Sequence, residues 1–312
     1  MVELLYQLFK TARPRQWIKN LAVFAPLLFS GLLFFPGYFE RVVLSFILFS
    51  LLASSLYFFN DISDASNDRQ HPYKKKRPIA SGKLSVQAAT FAAIVLLIIS
   101  LIGARQLSFF FFVTLLAYAS LQFSYSLVLK RLPIFDVISI AAGFILRIYA
   151  GAFVVNLHMS VWFLLTVISA SLFLAVGKRQ SERTLLKGLG MSVSKHRTVQ
   201  GHYSQRLLDI YTSMFANTTW LTYALFAFQL QFQKSSGPIP TFFSLLPQAL
   251  LAQKWLMLTV PVVIYGVMRY LQLIYEQNKG ESPERVLLSD KPLLITASVW
   301  IVMVIGIIYG LR

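Results

Sequence analysis

Residues 42–68 read VVLSFILFSLLASSLYFFNDISDASND. The first eighteen carry four serines and no charge, and the next nine carry three aspartates. A helix that crosses a bilayer needs roughly 20 mostly apolar residues. The run 42–59 meets that need and ends abruptly at Asn60. It is continuously apolar rather than alternating. That favours a helix over a barrel strand, since a lipid-exposed backbone must satisfy its own hydrogen bonds.

The same pattern recurs outward from this stretch. Further apolar runs lie near 21–38, 85–104, 107–128, 134–153, 160–177, 209–232, 255–275 and 292–311. Together they predict an all-α polytopic membrane protein. About nine transmembrane helices would bundle around a cavity open to the cytoplasm and to lipid. One membrane domain, 1–312, accounts for the whole sequence. Composition agrees: 56% of the 312 residues are hydrophobic and 13% are charged, about half the charge of a soluble domain. With no cysteine, disulfide and thiolate chemistry are excluded. The opening MVELLYQLFK is too short an apolar run for a secretory leader.

The formal charge is +17, from 29 Lys+Arg against 12 Asp+Glu. In a soluble protein this would suggest nucleic acid. Here it falls on one side of the membrane, and no nucleic-acid partner is expected. With the N-terminus inside, 22 basic residues lie on inner segments and five (Arg41, Arg105, Lys234, Lys254, Arg312) on outer ones. Arg147 and Arg269 fall within spans. This asymmetry orients the chain with its elaborate face in the cytoplasm. Ten of the twelve acids also sit at or near inner ends. An enzyme of the cell (inner) membrane acting on cytosolic substrates has this distribution.

On a helix, Asn60, Asp61, Asp64 and Asp68 share one face. Three carboxylates so placed repel one another, and a divalent cation relieves that repulsion. Mg²⁺ prefers one or two carboxylates plus substrate phosphate oxygens. The following loop, HPYKKKRPIASG at 71–82, supplies bases. Acids for a metal beside bases for phosphate describe a pyrophosphate site. Read alone, the basic run would be an orientation signal.

The motif N-D-x-x-D-x-x-x-D at the inner end of the second of nine helices resembles the UbiA superfamily of intramembrane prenyltransferases. Within it, several stretches resemble the decaprenyl-phosphate phosphoribosyltransferase branch. They are RPRQWIKN at 13–20, the 71–82 loop, Tyr125 through Lys130, AAGFILR at 141–147, GKR at 177–179 and PERVLLSDKP at 283–292. The resemblance implies transfer of 5-phosphoribose from phosphoribosyl pyrophosphate to a polyprenyl phosphate in the membrane lipid, with pyrophosphate released. It implies Mg²⁺, or Mn²⁺ in its place, held by Asn60, Asp61, Asp64 and Asp68. Lys74, Arg77, Lys178 and Arg179 would hold donor phosphates. Lys19, Lys130 and Arg147 would hold the acceptor head or the 5-phosphate, with Asn20 and Tyr125 as further substrate contacts. A homo-oligomer is compatible with all of this.

One departure bears on the branch. Typical members carry a second Asp-rich motif after the sixth helix, where this chain has GKRQSERTLLKGLG at 177–190. Between 178 and 208 Glu182 is the only acid, against seven bases. A phosphosugar donor and a phosphate acceptor would want those cations. Glu182 reads either as a replacement metal ligand or as a salt-bridge partner orienting Arg179. Arg147 lies well inside a span, where a charge needs a wet cavity or a partner. It reads as a phosphate ligand, as the partner of an acid, or as a structural arginine. Asp136, three turns earlier, reads as a catalytic acid or as a helix cap. A prenyltransferase with an aromatic acceptor and a transporter of a phosphorylated lipid are the rival readings. For the second, polar residues at both faces would be expected.

The charge asymmetry has a direct test. A reporter fused after Lys83 should read cytoplasmic and one near Gly237 external. The same side for both would refute the nine-span count.

Overall fold

The computed structural model describes residues 2–70, 74–188, 203–230, 254–276 and 283–310. The segment 71–73, most of the loop bearing Lys195, the outer segment with Gly237, and 277–282 lie outside the described residues. Twelve α-helices lie among the described residues: α1 (Val2–Ala12), α2 (Ala25–Ser30), α3 (Tyr38–Ser63), α4 (Ala65–Gln70), α5 (Val86–Leu107), α6 (Phe109–Leu127), α7 (Phe135–Val154), α8 (Val161–Gly188), α9 (Gln205–Gln229), α10 (Val260–Tyr275), α11 (Pro283–Ser289) and α12 (Lys291–Gly310). Short 3-10 turns join several of them, and no strand occurs among the described residues.

Seven helices among the described residues are long and apolar enough to cross a membrane. They are Tyr38–Ser63, Val86–Leu107, Phe109–Leu127, Phe135–Val154, Val161–Arg183, Trp255–Tyr275 and Lys291–Gly310. The expected count of nine is thus not confirmed, and two of the predicted runs differ from continuous apolar helices. The run 21–38 is not a continuous helix. Pro14–Phe24 forms a 3-10 helix, α2 adds six residues, and Gly31 stops it at φ 76°. The chain cannot continue an α-helix through that left-handed residue. Residues 209–229 of the run 209–232 belong to α9, which is long but interrupted by polar residues. It carries Asp209, Thr212, Asn217, Thr218, Thr219 and Thr222.

Contacts gather the residues into two units, Met1–Leu129 with Leu146–Leu157, and Lys130–Ile145 with His158–Arg312. In the first, the broken segment runs antiparallel along α3. Trp17 Nε1 donates to Ser54 Oγ at 3.0 Å, Asn20 Nδ2 donates to Ser50 Oγ at 3.0 Å, and the Phe24 ring lies 5.8 Å from that of Phe46. Eleven 3-10 residues followed by six α residues advance about 31 Å, the thickness of a hydrocarbon core. So the segment covers the distance expected of a first span, by a tighter path that starts at Pro14. Its core contains Val23, Leu27, Phe49, Leu52, Phe111, Leu115 and Ala150, all buried. Gly151 makes this packing possible, since a Cβ there would meet the Val23 carbonyl oxygen at 1.9 Å.

In the second unit α8 and α9 pair antiparallel along their length. The Phe163 and Phe226 rings lie 5.3 Å apart near one end, and Gln180 Nε2 reaches Asp209 Oδ1 at 2.8 Å near the other. Phe173, Ala216, Tyr270, Leu273 and Ile274 form its core. A T-shaped contact of Phe173 on Tyr270 helps tie α8 to α10.

Gly151→Ala should destabilise the fold by about 1–3 kcal/mol, the cost of overpacking a close contact. Gly306→Ala, whose added methyl meets nothing within 4 Å, should not. Unfolding of the detergent-solubilised protein checks the pair.

Candidate active site

The acidic motif straddles the end of α3. Asp61 is in its last turn, Asp64 is the residue after it, and Asp68 is on α4. The backbone stays right-handed across the junction. Asp64 N–H donates to the Asn60 carbonyl at 2.9 Å and Asp68 N–H to that of Asp64 at 2.8 Å. The one-face spacing thus survives the break. Asp61 and Asp68 are each 3% exposed, and both are met by Arg77. Its Nη1 lies 3.0 Å from Asp61 Oδ1 and 2.7 Å from Asp68 Oδ2. Arg77 is placed by a built loop. It follows the 3-10 turn Lys74–Lys76, and the buried Ile79 and Leu84 beyond it pack against Phe58, Ala65 and Ala89. Lys74, Lys75 and Lys76 are exposed beside it.

Arg13 also bonds Asp61 Oδ1 through Nη2, and its guanidinium carbon lies 5.1 Å from the centre of the Tyr57 ring. The sequence reading took Arg13 only as an orienting charge and as part of a resembling stretch. Its signal was the Pro that follows. Arg13 turns the chain at φ 54°, ψ 57° from α1 into the segment begun by Pro14. Asp64 is half-buried and has no side-chain partner among the described residues, and nor does Asn60.

Arg147 is 5% exposed. Its Nε donates to Asn20 Oδ1 and its Nη2 to the Tyr118 hydroxyl, both at 2.8 Å. Its guanidinium lies over the Tyr118 and Phe49 rings at 4.8 and 5.3 Å. Neutral acceptors and ring faces thus help hold this buried cation. Asn20 is 1% exposed, between Ser50 and Arg147. Both residues sit in the first unit's framework. Lys19 and Tyr125 lie half-buried in the same unit.

The second unit gathers the remaining predicted residues. Asp136, in the first turn of α7, is fully buried. Arg179 Nε donates to its Oδ2 at 2.7 Å and the Tyr203 hydroxyl to its Oδ1 at 2.7 Å. Tyr203 in turn accepts the Ile134 N–H at 2.6 Å, capping α7 from outside. Burial raises the Tyr203 phenol above its ordinary value, and the hydrogen bond to Asp136 adds to the rise. It therefore stays a neutral donor through the physiological range. Arg179 is 1% exposed and also donates from Nη1 to Glu182 Oε2 at 2.8 Å. Of the two readings of Glu182, this contact favours the partner of Arg179. Lys178 is half-buried with no bonding partner among the described residues, and Lys130 likewise. Gly177 places this stretch, since a Cβ there would meet Ile274 Cδ1 at 2.8 Å. Tyr203 and Asp209 were missed as site-building residues. Asp209 Oδ1 accepts from Gln180 Nε2 at 2.8 Å and from the Tyr275 hydroxyl at 2.9 Å.

A family model described as "UbiA prenyltransferase family" matches residues 22–290. The chain belongs to that family. UbiA relatives include the decaprenyl-phosphate phosphoribosyltransferase of Corynebacterium glutamicum, 31% identical over 97% of this chain and 86% of the relative. The Mycolicibacterium smegmatis protein of the same name is 32% identical over 97% and 92%. Among solved structures, a UbiA homolog from Archaeoglobus fulgidus bound to GPP and Mg²⁺ superposes with a TM-score of 0.66 at 18% identity, covering 97% of this chain and 99% of that one. The fold is therefore UbiA-like, and the protein is an integral membrane transferase of that family.

The Asp cluster fits a shared Mg²⁺ site. Both arginines load Asp61 on Oδ1, and Arg77 loads Asp68 on Oδ2. Asp61 Oδ2, Asp68 Oδ1 and both Asp64 oxygens keep lone pairs for a hard cation. Among the described residues no three carboxylates converge into a ready cage. Such a donor set suits an ion that arrives with phosphate oxygens.

Arg179→Ala should cost about 3–5 kcal/mol by stranding the buried Asp136. Changing Asp136→Asn together with Arg179→Gln should recover much of that. Lys178→Ala should stay within about 0.5 kcal/mol of wild type. Denaturant unfolding separates the three.

Proposed function

We propose that the chain transfers 5-phosphoribose from phosphoribosyl pyrophosphate to a polyprenyl phosphate of the decaprenyl type. The reaction would run at the cytoplasmic face of the cell membrane, with Mg²⁺ or Mn²⁺. One observation carries the reading beyond the family. In the second unit a buried Arg179 pairs with both Asp136 and Glu182, so that these acids are neutralised within the protein. Among the described residues, acids engaged in this way speak against the second set of metal ligands that a prenyl diphosphate would use. The full-length likeness to proteins named decaprenyl-phosphate phosphoribosyltransferase supports the same donor.

The chemistry asks little covalent help of the protein. The C1–O bond to pyrophosphate breaks, and pyrophosphate leaves with the electron pair. A bond forms from C1 to an oxygen of the acceptor phosphate. That phosphate is already ionised near neutral pH, so no general base is needed. A divalent cation, when bound, neutralises charge on the leaving group. Asp61, Asp64 and Asp68 would hold it. Arg77 and Lys74 would bind and orient the donor diphosphate. Lys178 and Lys130, half-buried and without a bonding partner among the described residues, would take the remaining phosphates. Arg147, Asn20, Asp136 and Arg179 become positioning residues, since their polar groups are engaged within the protein. The protein mainly supplies position and charge.

The testing assay uses purified protein with labelled phosphoribosyl pyrophosphate and polyprenyl phosphate, run beside a prenyl diphosphate with 4-hydroxybenzoate. Labelled lipid in the first reaction alone supports the proposal. Product in the second alone would replace it with aromatic prenylation. Asp64→Asn should lower kcat by roughly a hundredfold without changing the melting temperature, because Asp64 has no ion-pair partner among the described residues to strand. Full turnover in EDTA would remove the metal from the scheme.

A further inference from the structure

Arg13 and Arg77 share one anchor. Arg13 Nη2 and Arg77 Nη1 both donate to Asp61 Oδ1, and Arg77 Nη1 also donates to Asp68 Oδ2. The two nitrogens are therefore within about 6 Å of one another, each at hydrogen-bond distance from the same oxygen. A guanidinium has five N–H donors. One on Arg13 and two on Arg77 are used by these contacts, and neither side chain has a further bond to described residues. The side chains are 25% and 28% exposed, while the carboxylates beneath them are 3% and 4%. The carboxylates are buried, and the arginine side chains that cover them reach the surface.

Two features fix Arg13 in this pose. Its guanidinium lies over Tyr57, and its backbone is a corner between α1 and the Pro14 segment. Arg77 is held by the buried Ile79 and Leu84 behind it. An arginine whose plane is held in advance loses little freedom on binding, and its fork matches phosphate oxygens. Arg13 and Arg77 together balance the charges of Asp61 and Asp68, and the exposed Lys74, Lys75 and Lys76 add positive potential next to them.

We infer that Arg13 and Arg77 form a paired guanidinium clamp for the diphosphate group of the donor, with Asp61 as their common anchor. Arg13 is thus a substrate-binding residue supplied by the segment before the first crossing. The inference rests on the donor being a diphosphate, as proposed above, but not on which diphosphate.

Inorganic pyrophosphate separates the two ideas, because it is released from a phosphosugar donor and from a prenyl donor alike. The full chain in detergent is titrated with magnesium pyrophosphate by calorimetry. Arg13→Ala should weaken binding by about ten- to a hundredfold, the loss of charge-assisted hydrogen bonds. Arg13→Lys, which keeps the charge and loses the fork, should fall between Arg13→Ala and wild type. Arg15→Ala, an exposed neighbour, should bind as wild type does. If Arg13→Ala fails to fold, Arg13→Lys decides. Wild-type pyrophosphate affinity in Arg13→Lys, or in a folded Arg13→Ala, overturns the clamp and leaves Arg13 as a counter-ion of Asp61. Competition by phosphoribosyl pyrophosphate is then measured separately. Arg13-dependent pyrophosphate binding without that competition keeps the clamp and rejects the phosphosugar donor. Competition and turnover with Arg13-independent binding keep the donor and reject the clamp.

Discussion

A carboxylate removed from water must be matched by a cation or protonated, and the cost of leaving it unmatched is several kcal/mol. Both candidate clusters are organised around this constraint. Asp61 and Asp68 are matched by Arg13 and Arg77, and Asp136 is matched by Arg179. The exposures differ in a way that separates their roles. Arg13 and Arg77 are about a quarter exposed, whereas Arg179 is 1% exposed. On the clamp proposed above, the first pair would offer its unused donors to a phosphate while Asp61 stays its anchor. The second cannot reach a substrate without uncovering Asp136, so it fixes the start of α7 against α8.

This difference gives each basic residue a physical reason for its place. Lys178 follows Gly177 on α8, next to a buried arginine, yet is itself half-buried and without a partner among the described residues. Helical geometry turns adjacent residues by about 100°, so Lys178 and Arg179 lie on different sides of the helix. Arg147 shows another solution. Its charge is spread over two ring faces and two neutral oxygen acceptors, which suits a cation inside a span.

The acidic motif was legible because its signal is local. Helical spacing put Asp61 and Asp68 on one face, and the structure keeps them there across the break at Asp64. The seven long helices were legible from apolar length alone. The first crossing was misread because hydropathy records composition and not backbone path. Pro14, Gly31 and Pro36 mark the breaks, yet the apolar run from 21 satisfies a hydropathy window as well as a single helix would. The polar α9 shows the reverse. Its threonines bond back to its own carbonyls, as Thr212 does to Leu208 and Thr219 to Phe215, so a long helix tolerates them. Arg13 and Tyr203 were not legible as site residues because their partners, Asp61 and Asp136, are 48 and 67 positions away. A sequence lists both ends of such a contact but not their meeting.

The central claim is that Asp61, Asp64 and Asp68 form half of a metal site that a diphosphate completes. Electron paramagnetic resonance of Mn²⁺ added to the purified chain, with and without inorganic pyrophosphate, reads this directly. Tight, stoichiometric Mn²⁺ binding should appear only with pyrophosphate and should be lost in Asp64→Asn. Equally tight Mn²⁺ binding without pyrophosphate, or its persistence in Asp64→Asn, would contradict it.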